Sequence, residues 1–297
     1  MATQVITSRA RTTRPSNVNT EQAGQEMAAT IEDKARRFED LHAIGCFVMA
    51  NAWDAGSARA LEAVGFSGLG TTSAGFAWSI GQTDGETSRD LVLENARAIV
   101  EAVDIPVSGD LLNGFGAAPE AVAETIRLAG GVGLAGGSIE DTTGDPSAPL
   151  FDRELAKERI IAAVEAARGL DRPFVLCARA DGLFAGACDI DETLARLALY
   201  EEAGADLLFA PALMSLADVD KVIDHVKTPI NVLASIGNEG TVSDFAQRGV
   251  RRISVGSQFY SAVAGCLQAA AQELHEAGTF GWTESGMPYP ALNELMR

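Results

Sequence analysis

Residues 105–116 read IPVSGDLLNGFG, a short apolar run that ends on one carboxylate, Asp110, and then breaks into glycines. Residues 133–145, GLAGGSIEDTTGD, repeat the device and deliver Glu140 and Asp141. A proline leading an apolar run that stops at an acid reads as a buried parallel strand, and ligands gather at the C-terminal ends of such strands. Carboxylates on successive strands form an oxygen donor set that suits Mg2+, with Mn2+ as a substitute. Other strand ends supply Trp53 and Asp54, Thr72 and Ser73, Arg179 and Asp181, and Asn231, with Asp84 in the loop beyond Ser73. Arginine grips carboxylate or phosphate with two parallel hydrogen bonds. A metal beside one arginine therefore suits a small anionic carboxylate substrate. Such a metal would polarise an α-keto acid and stabilise the enolate formed when an adjacent bond breaks.

Each of these residues also has a structural role open to it. Asp110 can cap its loop, Glu140 and Asp141 can form a capping pair, and Arg179 can pair with a barrel carboxylate. Asp54 stands where it would cap the helix that starts near Gly56, and Trp53 suits packing. The constellation is more specific than its parts, because independent structural acids have no reason to collect at strand ends. His42, His225 and His275 fall in predicted helices, away from strand ends, which argues against a histidine metal site or a Ser-His-Asp triad. The four cysteines show no CxxC spacing and, with Cys46, Cys177 and Cys266 in apolar segments, read as reduced, mostly buried thiols.

The elements that must position these groups follow from periodicity. Residues 1–26 are polar and aperiodic and read as a flexible arm; residues 27–297 read as a single domain. A helix is predicted over 27–43, with Ala28, Ile31, Ala35 and Phe38 on one apolar face. A strand, a loop and an amphipathic helix then recur eight times. The predicted strands are 46–50, 68–72, a run ending at 110, a run ending at 140, 173–178, 206–210, 230–233 and 252–255. The predicted helices are 56–64, 89–103, 119–129, 153–168, 190–203, 215–225, 241–248 and 258–273, and residues 73–87 read as a long loop. Eight such units make a (β/α)8 TIM barrel, an α/β fold, with an extra N-terminal helix. GFGAAP follows the third strand and lacks the GxGxxG spacing of a dinucleotide fold. The aromatic and proline-rich C-terminal segment, 280–297, either caps the barrel or packs on a neighbouring subunit.

The chain has 297 residues, is 47% hydrophobic and carries a formal net charge of −18. That acidity argues against nucleic acid or an anionic membrane as a partner. No apolar run reaches the roughly 20 residues that span a bilayer, and no signal-peptide core is evident, so a cytoplasmic location is the default expectation.

The segments NAWDAGSARALEAVGF, TTSAGFAWSIGQTDGE, PVSGDLLNGFG, SIEDTTGDPSAPLFD, LCARADGLF, YEEAGADLLFAPAL, PINVLAS and GVRRISVG resemble the isocitrate lyase / phosphoenolpyruvate mutase superfamily. The resemblance covers about residues 35–270 and is to the short form, without the insertions of true isocitrate lyases. It implies a (β/α)8 barrel whose terminal helix is exchanged between subunits, giving a homodimer or a dimer of dimers. It implies Mg2+ bound directly by Asp110, with Asp84 and Glu140 acting through water. It implies Arg179 on the substrate carboxylate, and Thr72, Ser73 and Ala74 around a pyruvate-like end.

Two departures bear on the chemistry. Superfamily lyases carry a mobile loop with a Lys/Arg-Cys-Gly-His motif, whereas the loop here, TTGDPSAPLFD, has no Cys, His or Lys. The superfamily also places an acid two residues after its first metal aspartate, where this chain has Leu112. Losing an outer carboxylate weakens a metal site, and Asn113 stands next to it as a substitute hydrogen-bonding group.

The expectation is an Mg2+-dependent carbon–carbon lyase or hydrolase that cleaves beside the keto or hydroxy group of a small di- or tricarboxylate, through a pyruvate-like enolate. Arg179, Asp84 and Glu140 are its catalytic candidates. Asn231 joins Thr72, Ser73, Ala74 and Arg179 as substrate-binding candidates. The alternatives are a P–C bond enzyme acting on a phosphonopyruvate-like substrate, or a binding protein that kept the barrel and altered the site.

Overall fold

The eight predicted strands close into one parallel barrel in sequence order, with the first strand hydrogen-bonded to the last. The structure, a computed structural model, describes residues 29–297. The expected arm at 1–26 lies outside the described residues, as does the first turn predicted for the leading helix. That helix, α1, is seen as Ile31–Ala43.

The first half of the barrel runs β1 (Phe47–Ala52), α2 (Ala55–Val64), β2 (Leu69–Thr71), α3 (Ser73–Ser79), α4 (Arg89–Ala102), β3 (Val107–Asp110), α5 (Pro119–Gly131) and β4 (Gly136–Glu140). The second half runs α6 (Arg153–Arg168), β5 (Val175–Arg179), α7 (Ile190–Glu202), β6 (Leu207–Phe209), α8 (Leu216–His225), β7 (Ile230–Leu233), α9 (Val242–Arg248), β8 (Arg252–Ser254) and α10 (Gln258–Gln272). Most bounds fall within two residues of the sequence reading. The loop predicted over 73–87 is the exception, since its first half is helical. SAGFAWS is too short and too rich in small residues to show a helical period, and it folds because Thr72 caps it and its Gly75 fits against Trp53 and Tyr260.

Helix starts follow side-chain chemistry. Thr30, Asp54, Ser88, Asp189, Ser215 and Thr241 each accept a hydrogen bond from a backbone amide in the first turn, which is worth about 1 kcal/mol per cap. Asp54 is therefore a cap: its Oδ1 accepts from the Ser57 amide at 2.7 Å.

Helix α1 closes the N-terminal end of the barrel. Phe38 is fully buried and packs with Ala35, Met49, Ala135 and Val175 at the starts of β1, β4 and β5. Gly136 exists for this contact, because a Cβ there would stand 2.6 Å from the Val175 carbonyl and 2.8 Å from the Phe38 ring. Lys34 anchors the same helix, donating to the carbonyls of Val100 and Val103 at the end of α4, where cations are favoured. With this end sealed, access to the interior is from the C-terminal mouth.

Barrel interiors are usually filled with bulky branched side chains. Here Asn51, Ser108, Ser138, Asn231 and Ser254 stand at interior positions and line a cavity of about 660 Å3 that also opens among the C-terminal loops. Among the described residues no helix is long and apolar enough to cross a membrane.

Beyond β8 the packing changes. Helix α10 has no buried residue, and Phe259, Val263 and Leu267, four apart, face outward, Leu267 at 70% exposure. A π turn (Glu273–Ala277), a 3-10 turn (Gly281–Ser285) and α11 (Tyr289–Leu295) follow, and α11 touches α2. Cys266, expected among the buried thiols, is exposed on α10; an apolar sequence signals burial only when the apolar face meets this same chain. Cys177 is buried and Cys46 and Cys188 are partly so, all four cysteines being free.

Candidate active site

Four acids and one arginine meet at the C-terminal mouth. Asp110, the last residue of β3, accepts from Arg179 Nη1 at 2.9 Å through Oδ1 and from the Ser73 amide at 3.0 Å through Oδ2. Arg179, the last residue of β5, grips Asp181 with Nε at 3.1 Å and Nη2 at 2.7 Å. The same Nη2 lies 3.1 Å from Oε2 of Glu140, which ends β4 directly opposite Arg179 in the strand register. Parallel pairing thus sets Glu140 opposite Arg179, and Arg179 also reaches Asp110, which stands opposite Ser138 on the far side of β4.

The positions are braced from behind. Asp141 points away from the mouth: Oδ1 accepts the Asp181 amide at 2.8 Å, and Oδ2 accepts from Tyr200 at 2.7 Å and Arg196 at 3.1 Å. Of the pair at the end of β4, Glu140 faces the cavity and Asp141 locks the β5 loop, as the alternation of a strand requires. Arg159 plays the same part beneath the β3–α5 loop, donating to the carbonyls of Asn113, Gly116 and Ala117 while lying over the Phe151 ring. Asn113 bonds the Thr142 carbonyl at 3.1 Å and the Phe115 amide at 3.1 Å, so it ties two loops together and does not replace the missing acid. Leu112 lines the mouth in a left-handed conformation, φ 51°, which costs a non-glycine residue roughly 1 kcal/mol or more and suits Asp or Asn better than Leu.

Charge is out of balance here. Burial pushes the Glu140 carboxyl up to about 8; Arg179 opposes this, and the charges of Asp181 and Asp110 add to it. Thr142 donates to Glu140 Oε1 at 2.5 Å. Asp84, at the mouth beyond α3, is raised by burial and then by Asp110, with Ser73 and the Gly85 amide pulling the other way. Asp181 is raised by burial despite its Arg179 partner. One guanidinium does not neutralise these acids.

All the expected site residues, Thr72, Ser73, Ala74, Asp84, Asp110, Glu140, Arg179 and Asn231, line the one cavity. Asn231 sits deepest among them, with its amide engaged by Ser254 and Arg252. Sequence reasoning passed over Asn51 and Arg252. Asn51 accepts the amides of Val255 and Gly256 at 2.9 and 3.0 Å and donates to the Thr71 carbonyl at 2.8 Å, fixing the β8 end against β1 and β2. The signal that was available for both is a polar residue inside an otherwise apolar strand.

An oxygen-only donor set with surplus negative charge has the chemistry of a Mg2+ site. Among the described residues no three acids, histidines or cysteines converge closely enough to cage an ion by themselves. Mg2+ is usually bound through one or two carboxylates with water in its other positions, and Asp110 and Glu140 are the strand-end acids whose chemistry fits that role.

Comparison with known proteins places this geometry. A model of the phosphoenolpyruvate phosphomutase family matches residues 38–275. An uncharacterized protein of Mycobacterium tuberculosis (strain H37Rv) is 32% identical over 258 residues, covering 86% of this chain and 94% of the relative. The 2-methylisocitrate lyase of Escherichia coli K12 is 33% identical over 206 residues, covering 67% and 66%. A solved structure from Burkholderia cenocepacia J2315, described only as a lyase/mutase, is 44% identical with a TM-score of 0.87, covering 89% of this chain and 95% of that one. A phosphonopyruvate hydrolase solved with oxalate and Mg2+ is 25% identical with a TM-score of 0.78, covering 88% and 94%. The barrel, its strand-end acids and these matches agree, and the chain belongs to the phosphoenolpyruvate phosphomutase family, within the isocitrate lyase / PEP mutase superfamily.

Proposed function

We propose that the chain is an Mg2+-dependent lyase or hydrolase that cleaves the C–C bond beside the keto or hydroxy group of a small di- or tricarboxylate, by way of a pyruvate-like enolate. The observation that carries this reading is Arg179, shared among Asp110, Glu140 and Asp181 at the mouth. Asp181 keeps the Nε edge of the guanidinium and so fixes its plane. The Nη1 edge, held by Asp110 alone, exchanges that partner for a substrate carboxylate. Ser73 and Ala74, in the first turn of α3, face the same space and orient the pyruvate-like end. Bound Mg2+ would supply a Lewis acid at the keto oxygen, with Asp110 holding it directly and Asp84 and Glu140 through water. Because residues 141–152 offer no Cys, His or Lys, proton handling falls to Glu140, whose carboxyl is pushed up to about 8 by burial.

Calorimetric titration with oxalate, an enolpyruvate mimic, tests this. The expected result is binding that requires Mg2+ and vanishes in Asp110→Ala. Binding that ignores Mg2+ and Asp110 would refute it, and no binding in either condition would favour an altered, non-catalytic barrel, with Leu112 as the cause. The cysteine-free loop also suits a P–C bond enzyme, and phosphate release from phosphonopyruvate, followed by phosphorus NMR, separates that reading from C–C cleavage.

The outward apolar face of α10 supports a homo-oligomer in which a second copy covers Phe259, Val263 and Leu267. Light scattering should give a dimer or a dimer of dimers, and Leu267→Glu should lower the mass.

A further inference from the structure

Among the described residues Lys34, Arg159, Arg196 and Arg252 are buried in this barrel or its braces and Arg179 nearly so, and all but Arg252 are held by several oxygen acceptors. Lys34 and Arg159 donate to backbone carbonyls, Arg196 reaches Asp141, Glu192 and the Phe151 carbonyl, and Arg179 has three carboxylates. Arg252 is the exception. It is 2% exposed, at the start of β8 on the strand's inner face, and lines the deep part of the mouth cavity. Nε donates to Asn231 Oδ1 at 2.8 Å, and Nη1 has no hydrogen-bond partner among the described residues.

Among the described residues no carboxylate is paired with it. The ionisable groups it senses are the Cys177 thiol beside it and the guanidinium of Arg179, whose positive charge opposes its own. The neutral imidazole of His42, on α1, feels it from below. A thiol is a weak acceptor, and burial holds Cys177 in its neutral form. Leaving a charge in the interior without a partner costs several kcal/mol. Asn231 aligns it: Nδ2 is spent on Ser254 Oγ at 2.9 Å, which turns Oδ1 toward Arg252.

We propose that Arg252 is a second anion subsite at the floor of the cavity, which takes the far carboxylate of a dicarboxylate whose other end is held at Arg179. This deepens the reading of the mouth given above and rests on it for the near carboxylate. It makes Arg252 a specificity-determining residue and defines the substrate as a chain with an anion at each end. Small side chains at Ser108, Ser138 and Ser254 keep the shaft between the two arginines open. The two positive ends share one cavity of about 660 Å3, room for a small molecule of this kind.

The test is equilibrium binding to the full chain with Mg2+ present. Succinate and butyrate differ only in the far carboxylate, and oxalate probes the mouth alone. Wild type should bind succinate about 30-fold more tightly than butyrate, the worth of one or two charge-assisted hydrogen bonds. In Arg252→Gln the two probes should bind within about threefold of each other, with oxalate within about threefold of wild type. Arg252→Lys retains charge at the floor and should keep part of the succinate preference. A wild type without the preference, a preference that survives Arg252→Gln, or equal weakening of all three probes would overturn the proposal. Bromide soaked into metal-free crystals gives an independent reading. An anomalous peak on the Arg252 guanidinium supports the subsite, and its absence there counts against it. Failure of oxalate alone would sink the reading of the mouth, while the bromide experiment would still judge Arg252.

Discussion

Replacing Arg179 by Met tests whether one guanidinium holds the mouth together. The side chain is only 14% exposed and is bonded to Asp110, Glu140 and Asp181 at 2.7 to 3.1 Å. Methionine keeps much of the length and removes the charge, leaving three largely enclosed acids facing one another. Breaking a buried ion pair from one side costs about 3–5 kcal/mol, which for a chain of this size lowers Tm by roughly 6–15 °C. The cost must depend on pH. Without the cation Glu140 and Asp181, already raised by burial, are driven further toward their protonated forms, and a carboxyl held protonated only in the folded state costs about 1.4 kcal/mol of stability for every pH unit above its unfolded pKa. The deficit relative to wild type should therefore be smallest near pH 5 and largest near pH 8. Urea unfolding followed by tryptophan fluorescence at several pH values measures it. A variant within about 1 kcal/mol of wild type at pH 8, or a deficit that does not change with pH, would refute the reasoning.

Other perturbations follow from the same geometry. Glu140 sits near 8 in the fold against an ordinary 4.5, so metal-free protein should lose stability as pH rises from about 4.5 toward 8 and regain it on adding Mg2+; stability that is flat across that range would contradict the assignment. Leu112→Asp restores an acid beside the mouth at a left-handed position that Asp tolerates, and should tighten Mg2+ about tenfold by calorimetry without loss of Tm. Tyr200→Phe removes the 2.7 Å hydrogen bond to Asp141 and should cost about 1–2 kcal/mol in urea unfolding. Gly136→Ala drives a methyl into the Val175 carbonyl and the Phe38 ring and should cost about 2–3 kcal/mol or prevent folding; full stability would show that α1 can shift away.

Local chemistry in the sequence was enough for the barrel. Short strand runs, two of them ending in acids, and amphipathic helices led by Ser, Thr or Asp are properties of neighbouring residues, and periodicity reports them. Strand-end placement of Asp110, Glu140 and Arg179 was legible for the same reason, because in a parallel barrel all strand ends point to one mouth. Tertiary contacts decided the rest. Asp141, one residue from Glu140, turned out to be a brace because side chains alternate across a strand, and its partners Arg196 and Tyr200 lie on α7, more than fifty residues away. SAGFAWS became a helix behind its Thr72 cap, with Gly75 placed where a side chain would press on Trp53 and Tyr260, a fit that no local pattern records. The apolar period of 258–273 marked a helix correctly and burial wrongly, because a hydrophobic face does not say which chain covers it. Arg252 read as one charge inside GVRRISVG; that it is buried without a counter-ion depends on what eight strands place around it, and only closure of the barrel settles that.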